Sequence, residues 1–461
     1  MPLPAGPKTP VTLQMLNWVL KPMPYMEECT KTYGDIFTLQ LQKSLPPIVF
    51  IQSPEDMQQV LSNDTKELEA PGELNSVFEY LLGKSSVISL SGAEHQRQRQ
   101  LIMPPLHGER MRNYADLISD LTVKAIKKQP LNQPFNARTV TQNITLSVMM
   151  QAVFGLYEGE RAEKLQDVLC EILEVGSAVW RVAVLYFPAL KNVIGISQLW
   201  EKQQRQQDKS DQLIYEEIQE RRENPDPSRT DILSLLMAAR DEAGQPMSDV
   251  ELRDELMTLL VAGHETTATA IAWALYWIHK LPEVRQKLLQ ELDSLGDNPD
   301  SSTIFKLPYL TAVCNETLRI YPIGMLTFPR RVKTSINLSG HELAPGTVIM
   351  GSIYLTHNRE DIYPHPKQFN PERFLEKQFS PYEFLPFGAG ARRCIGLAFA
   401  QFEMKLVLAK ILSGWELELA DTRDIKPKRR GLVTGPDRPI QMVVKSQRQV
   451  KSKTLETSAI S

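Results

Sequence analysis

The chain has 461 residues, of which 42% are hydrophobic, and its formal net charge is −3 at pH 7. This length and hydrophobic content allow a large buried core, and the near-neutral charge gives no reason to expect nucleic acid as a partner. No repeat or low-complexity linker divides the sequence. We therefore expect a monomer with a single α-rich domain over residues 1–461.

The N-terminal segment 1–10 is rich in proline and lacks the pattern of a signal peptide. The apolar run 11–20 is interrupted by polar residues and is shorter than the about 20 apolar residues of a membrane span. Four scattered cysteines have neither disulfide nor metal-site spacing, which suits a reducing compartment. These features predict a cytoplasmic protein with no transmembrane segment. Weak peripheral contact with a membrane would use Leu13, Leu16, Trp18 and Leu20.

The middle of the chain is predicted to be mostly helical, from residue 54 to about residue 320. Short strands are predicted at residues 36–39, 47–51 and around 347–350. The apolar stretch 179–194 predicts either a mobile lid over a cavity or two packed helix ends. The polar tail 446–461 predicts disorder.

A long central helix is predicted over about residues 248–280, which corresponds to about 50 Å at 1.5 Å per residue. Ser248 and Glu251 have the spacing of a capping box at its start. Halfway along, the sequence AGHETT occupies residues 262–267. There Gly263 would let a flat group approach the backbone, and the Thr266 hydroxyl can bond to the carbonyl of residue 262. Glu265 supplies a titratable group for moving protons.

Two further pairs have helical spacing. Glu316 and Arg319 lie three residues apart on a helix that must end before Pro322. Taken alone, such a pair is usually a surface salt bridge worth about 0–1 kcal/mol. His95 and Arg99 lie four residues apart, so both can point at one anion.

The most specific motif is FGAGARRCIG at residues 387–396, followed by an apolar helical pattern. Peptide N–H groups, two arginines and the start of a helix surround Cys394, and each favours the thiolate. Arg392 can pair with an anionic part of the same cofactor. The motif therefore indicates haem iron with a sulfur axial ligand.

These residues resemble the haem-binding signature of the cytochrome P-450 family, of the bacterial and cyanobacterial type without a membrane anchor. The resemblance implies a mainly α fold with a small β-rich lobe. It also implies haem b, with Cys394 as the metal ligand and the Phe387 ring near its sulfur. The other residues implied to contact the cofactor are His95, Arg99, Arg330, Arg392, Gly388, Ala262 and Gly263.

The same resemblance assigns roles to the other motifs. Thr266 would organise bound oxygen, and Glu265 would belong to the proton relay. Glu316, Arg319 and Arg373, the last in PERF at residues 371–374, would form a buried network that holds the cysteine loop. His264 is expected to be neither ligand nor base, because it lies off the apolar stripe of the helix.

The implied reaction is insertion of one oxygen atom from O2 into a C–H bond. Electrons would come from ferredoxin or flavodoxin with an NAD(P)H-dependent reductase, docked on a basic face made of Arg97, Arg393, Lys405 and Lys410. The implied pocket lining is apolar and comprises Phe78, Leu82, Val87, Leu259, Met325, Leu326 and Phe328. We therefore expect a lipophilic substrate, such as a fatty acid, an alkane or a terpenoid.

Two alternatives remain open. A peroxide-driven or isomerising haem-thiolate enzyme would need no reductase, and a haem sensor would need no catalysis. Both would keep Cys394 but have little need of the Glu265–Thr266 pair.

Overall fold

The computed structural model describes residues 2–43, 45–64, 66–156, 159–176, 184, 194–296, 299–431 and 433–448. The α-helices are α1 Val11–Leu20, α2 Pro22–Tyr33, α3 Pro54–Leu61, α4 Glu79–Leu82, α5 Gly92–Ile102, α6 Ala115–Lys127, α7 Ala137–Phe154, α8 Glu160–Gly176, α9 Ile194–Glu223, α10 Ile232–Ala238, α11 Asp249–Lys280, α12 Pro282–Asp293, α13 Ser301–Phe305, α14 Pro308–Ile320, α15 Ile353–Thr356, α16 Arg373–Glu376 and α17 Leu397–Gly414. The strands are β1 Ile36–Leu39, β2 Ile48–Ile51, β3 Leu68–Glu69, β4 Pro134–Asn136, β5 Arg330–Val332, β6 Ile336–Leu338, β7 His341–Leu343, β8 Val348–Gly351, β9 Trp415–Leu419, β10 Pro427–Arg430, β11 Val433–Pro436 and β12 Gln441–Gln447.

The central helix is α11, and it is continuous over its 32 residues. The predicted capping box is present, because Glu251 N–H donates to Ser248 Oγ (3.2 Å) and Ser248 N–H donates to Glu251 Oε2 (2.7 Å). Most of α11 is buried, with α7 along one side and α17 along another. This helix is therefore the axis around which the α-rich part of the fold packs.

The β-structure forms small sheets, as expected. The largest has the strand order β1-β2-β8-β5-β3, with β2 and β8 parallel and the other pairs antiparallel. A second sheet has the order β4-β12-β9, and two hairpins pair β6 with β7 and β10 with β11. The predicted strands at 36–39, 47–51 and 347–350 correspond to β1, β2 and β8.

The N-terminal helices pack on the largest sheet. The Trp18 ring lies 5.5 Å from the Phe50 ring, which in turn stacks on Phe37 at 5.4 Å. Trp18 is therefore buried, whereas Leu13, Leu16 and Leu20 on the opposite side of α1 are exposed.

The C-terminal tail and the stretch 179–194 were also the subject of expectations from the sequence. The prediction of disorder from residue 446 is wrong for its first residues, because β12 extends to Gln447 and pairs with β9. Residues 449–461 lie outside the described part of the chain. The stretch 179–194, expected to be either a lid or two packed helix ends, also lies outside it, apart from residues 184 and 194. Among the described helices, none combines the length and the apolar character that crossing a membrane requires.

Candidate active site

Cys394 lies at the end of a tight loop that leads into α17. Gly388 and Gly390 have φ angles of 65° and 70°, a left-handed conformation that favours glycine. The loop is closed by a hydrogen bond from the Cys394 N–H to the Phe387 carbonyl (2.9 Å), and α17 begins three residues later at Leu397. The thiol therefore sits directly before the N-terminus of a helix.

The protein groups around Cys394 act on its pKa in opposite directions. The side chain is exposed, yet protein surrounds it closely enough for burial to raise the pKa of the thiol. The Gly396 backbone and the guanidinium groups of Arg99 and Arg393 lower that pKa, but by less. The direction in which these groups were expected to act on the thiol is therefore confirmed, and the larger opposing effect of burial was not anticipated. The positive charge of a bound metal ion would stabilise the thiolate further.

A cluster of basic side chains lies beside the loop. Burial lowers the pKa of His95 to about 4, with further lowering by Arg392, Arg99 and Arg330. Burial also lowers the pKa of Arg392 to about 10; Arg330 and Arg99 lower it further, and Asp64 opposes them. Buried cations close to one another are stable only if anions compensate them. The two propionates of haem b fit this requirement.

Arg392 also holds the backbone of the 70–90 segment. Its Nη1 donates to the Val87 carbonyl (2.7 Å), and its Nη2 donates to the carbonyls of Ala70 (2.6 Å) and Leu90 (2.5 Å). Its buried Nε has no hydrogen-bond partner among the described residues. A buried donor without a partner is unfavourable, so this Nε is a further group that a propionate can satisfy.

On α11, the predicted back-bond is present, with Thr266 Oγ1 donating to the Ala262 carbonyl (2.5 Å). The helix continues without a break at this point. Gly263 also has a packing role, besides the expected approach of a flat group. A Cβ at this position would lie 2.9 Å from Sδ of Met149 on α7, so Gly263 makes room for a neighbouring helix.

Glu265 points towards α7. Its Oε1 forms an ion pair with Arg138 and accepts a hydrogen bond from Thr269 Oγ1 (3.2 Å). Its Oε2 accepts a hydrogen bond from Gln142 Nε2 (2.8 Å). The sequence reasoning missed Arg138 and Gln142; their spacing of four residues on one helix is the signal that could have drawn attention to them.

His264 is buried, so the stated reason for setting it aside, a position off the apolar stripe, is wrong. Its Nδ1 is hydrogen-bonded to Thr145 Oγ1 (2.9 Å), and Thr145 also donates to its carbonyl (3.1 Å). Burial lowers the pKa of His264 to about 4. The side chain is a neutral group at the contact between α7 and α11.

The structure brings Glu316, Arg319 and Arg373 together. Arg319 donates from Nε and Nη2 to the two oxygens of Glu316 (2.6 and 2.8 Å), and Arg373 Nε donates to the same carboxylate (3.2 Å). Arg319 also donates to the carbonyls of His357 (2.7 Å) and Pro366 (2.9 Å). Because Glu316 and Arg319 are fully buried, this network is quite different from a surface salt bridge.

The expected pocket residues do not all lie together. Val87 and Leu259 belong to the main core cluster, and the Phe78 and Phe328 rings are 6.1 Å apart. Leu82 is also buried. By contrast, Met325 and Leu326 pack in the cluster around α1 and α2. One part of the set therefore lies in the core or at the Phe78–Phe328 contact, and the other part packs against the N-terminal helices.

Position 255 was also missed in the sequence. Glu255 Oε1 accepts a hydrogen bond from the Val87 N–H (2.7 Å), and burial raises the pKa of this carboxyl well above its usual range. One helical turn separates Glu255 from Leu259 on α11. Glu255 thus connects the 70–90 segment, which Arg392 also contacts, to the central helix.

The expected basic docking face is reduced to two candidates. Lys405 is buried and donates to the Phe305 carbonyl (2.8 Å). Arg97 forms ion pairs with Asp241 and Glu251 (both 2.6 Å). Arg393 is exposed and Lys410 is half-buried.

Comparison with known proteins gives a consistent result. The cytochrome P450 family model matches residues 4–444. Cytochrome P450 135B1 of Mycobacterium tuberculosis is 33% identical over 460 residues, covering 99% of this chain and 94% of that protein. Cytochrome P450 135A1 of the same organism is 31% identical over 450 residues, covering 97% and 96%.

The solved structure of retinoic acid bound cyanobacterial CYP120A1 superposes with a TM-score of 0.82, covering 97% of this chain and all of that chain at 22% identity. That likeness establishes the fold. The family match and the relatives along nearly the whole sequence establish more: this chain belongs to the cytochrome P450 family of monooxygenases, whose cofactor is haem b.

Proposed function

We propose that the protein inserts one oxygen atom from O2 into a C–H bond of a lipophilic substrate, with electrons from a separate carrier. The observation that carries this proposal is the exposed Cys394 thiol ahead of α17, beside the buried basic cluster. Haem b bound there supplies the activation of dioxygen. The side chains of this chain would bind the haem, line the substrate pocket and deliver protons.

Four basic side chains would hold the haem. His95, Arg99 and Arg392 are the main candidates for the propionates, because Arg99 and Arg392 are close enough to lower the pKa of His95 and Arg99 is close enough to lower that of Arg392. Arg330 belongs to the same cluster but already has a counter-ion in Asp64. Cys394 would supply the sulfur that binds the iron, and Phe387 and Gly388 would shape the loop around it.

Thr266 and Glu265 would deliver protons. The Thr266 hydroxyl uses its hydrogen on the Ala262 carbonyl, which leaves its oxygen lone pairs to accept a hydrogen bond from water. Glu265 would release its contact with Arg138 before it transfers a proton. This arrangement favours oxygen activation over a haem sensor, which would have no need of either group.

The buried apolar residues Leu82, Val87 and Leu259 support a lipophilic substrate, for which a fatty acid, an alkane or a terpenoid is the expected class. CYP120A1 holds retinoic acid, a lipophilic ligand, in the same fold. The electron carrier would be ferredoxin or flavodoxin with its NAD(P)H-dependent reductase, approaching Arg393 and Lys410.

We further propose that the chain is one domain and works as a monomer in the cytoplasm. Leu13, Leu16 and Leu20 are 45%, 47% and 68% exposed, and they would provide weak peripheral contact with a lipid surface. Sedimentation of the purified protein tests whether it is a monomer, and sedimentation with lipid vesicles tests the peripheral contact. Replacing these three leucines with serine should abolish any co-sedimentation.

Reconstituted turnover tests the reaction itself. The holoenzyme is supplied with ferredoxin, reductase, NADPH and labelled dioxygen, and each candidate lipid is screened first for a substrate-induced spin-state shift. One labelled oxygen atom in the product is the expected result. Turnover with peroxide alone would favour the peroxide-driven alternative, and haem binding without any turnover would favour the sensor.

A further inference from the structure

Asp64 lies in the turn after α3 and contacts the cysteine loop directly. Its Oδ2 accepts a hydrogen bond from the Ala391 N–H (2.6 Å), three residues before Cys394. The side chain is only 7% exposed. Both of its oxygens also accept hydrogen bonds from the Arg330 guanidinium, Oδ1 from Nε and Oδ2 from Nη2 (3.2 Å). We propose that Asp64 is a positioning residue of the haem site: it fixes the cysteine loop and sets the charge beside that loop.

Gly390 provides independent support for this contact. Its φ angle is 70°, and a Cβ built on it would lie 2.1 Å from the Leu61 carbonyl oxygen and 2.4 Å from Asp64 Oδ2. At Gly388, in the same loop, a Cβ would meet no atom of the described residues within 4 Å. The segment 61–64 therefore presses against the loop at one defined point, where Asp64 also binds the Ala391 N–H.

Arg330 extends the connection to the sheet. Its Nη1 donates to the Phe328 carbonyl (2.9 Å), and its Nη2 lies within 3.4 Å of the Ala389 carbonyl. Asp64 and Arg330 together thus bridge the turn after α3, strand β5 and the cysteine loop. A shift of either side chain would move the backbone that carries Cys394.

The charge of Asp64 matters as much as its geometry. It compensates Arg330, which leaves Arg99, Arg392 and His95 for the propionates. A fixed anion beside the loop that carries Cys394 would also favour the oxidised, more positive state of a metal bound there over the reduced one. Removing the charge should therefore make the haem easier to reduce. This inference rests on the proposed function, because it assumes that Cys394 ligates haem iron.

Three variants separate charge from geometry. Asp64→Asn keeps an oxygen for the Ala391 N–H and removes the charge. Asp64→Ala removes both. Asp56→Asn is the matched control, because Asp56 on α3 is also buried, at 4% exposure, but accepts from Ser339 Oγ (2.6 Å) and not from the cysteine loop.

The measurements are the reduction potential of each holoenzyme by spectroelectrochemistry and the carbon monoxide difference spectrum after reduction. For Asp64→Asn we expect the thiolate spectrum to persist and the reduced-to-oxidised ratio at a fixed potential to rise about fivefold or more. Asp56→Asn should stay within about twofold of the parent. Asp64→Ala should lose haem faster to an apomyoglobin acceptor, with part of the thiolate spectrum lost.

Two results would overturn the inference while leaving the proposed function intact. One is an Asp64→Asn potential equal to that of Asp56→Asn. The other is an Asp64→Ala protein that retains haem and the thiolate spectrum as the parent does. A parent protein without the thiolate spectrum would overturn both the inference and the proposed function, so the two failures are distinguishable.

Discussion

Replacing Glu316 with glutamine should be among the most destabilising single changes in this chain. Its carboxylate accepts two hydrogen bonds from Arg319, one from Arg373 and one from the Asn370 N–H (2.9 Å). Glutamine has no charge and presents one N–H2 group to donors, so two buried guanidinium groups lose their counter-ion. Breaking a buried ion pair in this way costs about 3–5 kcal/mol. Arg319 also donates to backbone carbonyls, including that of His357, and these bonds remain in the variant. We therefore expect a loss of about 3 kcal/mol, at the lower end of this range.

Urea unfolding of the holoprotein, followed by far-ultraviolet circular dichroism, measures this loss if the slope of the transition is unchanged. The matched control is Glu372→Gln, because Glu372 pairs with Lys287 at the surface and its side chain is 30% exposed. That change should cost about 0–1 kcal/mol. Equal losses for the two variants, or a loss below about 1 kcal/mol for Glu316→Gln, would refute the argument that the network is a buried structural element.

Three further predictions concern the loop, pH and proton delivery. Gly390→Ala should lower the free energy of unfolding by about 2 kcal/mol or more in thermal melts, because the new Cβ would clash with the Leu61 carbonyl. The control is Gly388→Ala, which has only the left-handed φ to accommodate and should cost about 1 kcal/mol. Equal losses would contradict this. Burial lowers the pKa of His264 to about 4. The contribution of its neutral form to the free energy of unfolding, up to about 3 kcal/mol, is therefore complete above pH 6.5 and is lost as the pH falls towards 4. His264→Gln should flatten that part of the pH–stability curve, and an unchanged slope would contradict the assignment. Glu265→Gln should reduce ferredoxin-supported turnover about 10²-fold while the carbon monoxide spectrum stays that of the parent; unchanged turnover would exclude Glu265 from the relay.

The features that follow from local sequence were predicted well. The capping box at Ser248 and the end of α14 before Pro322 need only neighbouring residues, and both are present. The strands β1, β2 and β8 were identified from short β-branched runs for the same reason. The glycine-rich loop before Cys394 likewise has backbone conformations that its own sequence requires.

Contacts between distant residues could not be predicted in this way. Arg138 meets Glu265 across 127 positions, and Asp64 meets Arg330 across 266. Only the packing of α7 on α11, and of the turn after α3 on β5, brings these groups together. Gly263 illustrates the same limit, because its partner Met149 cannot be inferred from the AGHETT motif.

Charge alone was also a poor guide to exposure. Lys405 looked like a surface cation in the sequence, yet it is buried and lies over the Phe305 ring, with Nζ 4.2 Å from its centre. Burial lowers the pKa of this lysine. A long side chain with an apolar stem can be taken up by a helix interface when its amine finds a carbonyl.

The central claim is that the sulfur of Cys394 binds the haem iron. The carbon monoxide difference spectrum of the reduced holoenzyme tests it most directly, with Cys394→Ser as the variant and Cys314→Ser, at a buried cysteine on α14, as the control. We predict the thiolate spectrum for the parent and for Cys314→Ser, and its complete loss in Cys394→Ser. A Cys394→Ser protein that keeps the thiolate spectrum would contradict the account.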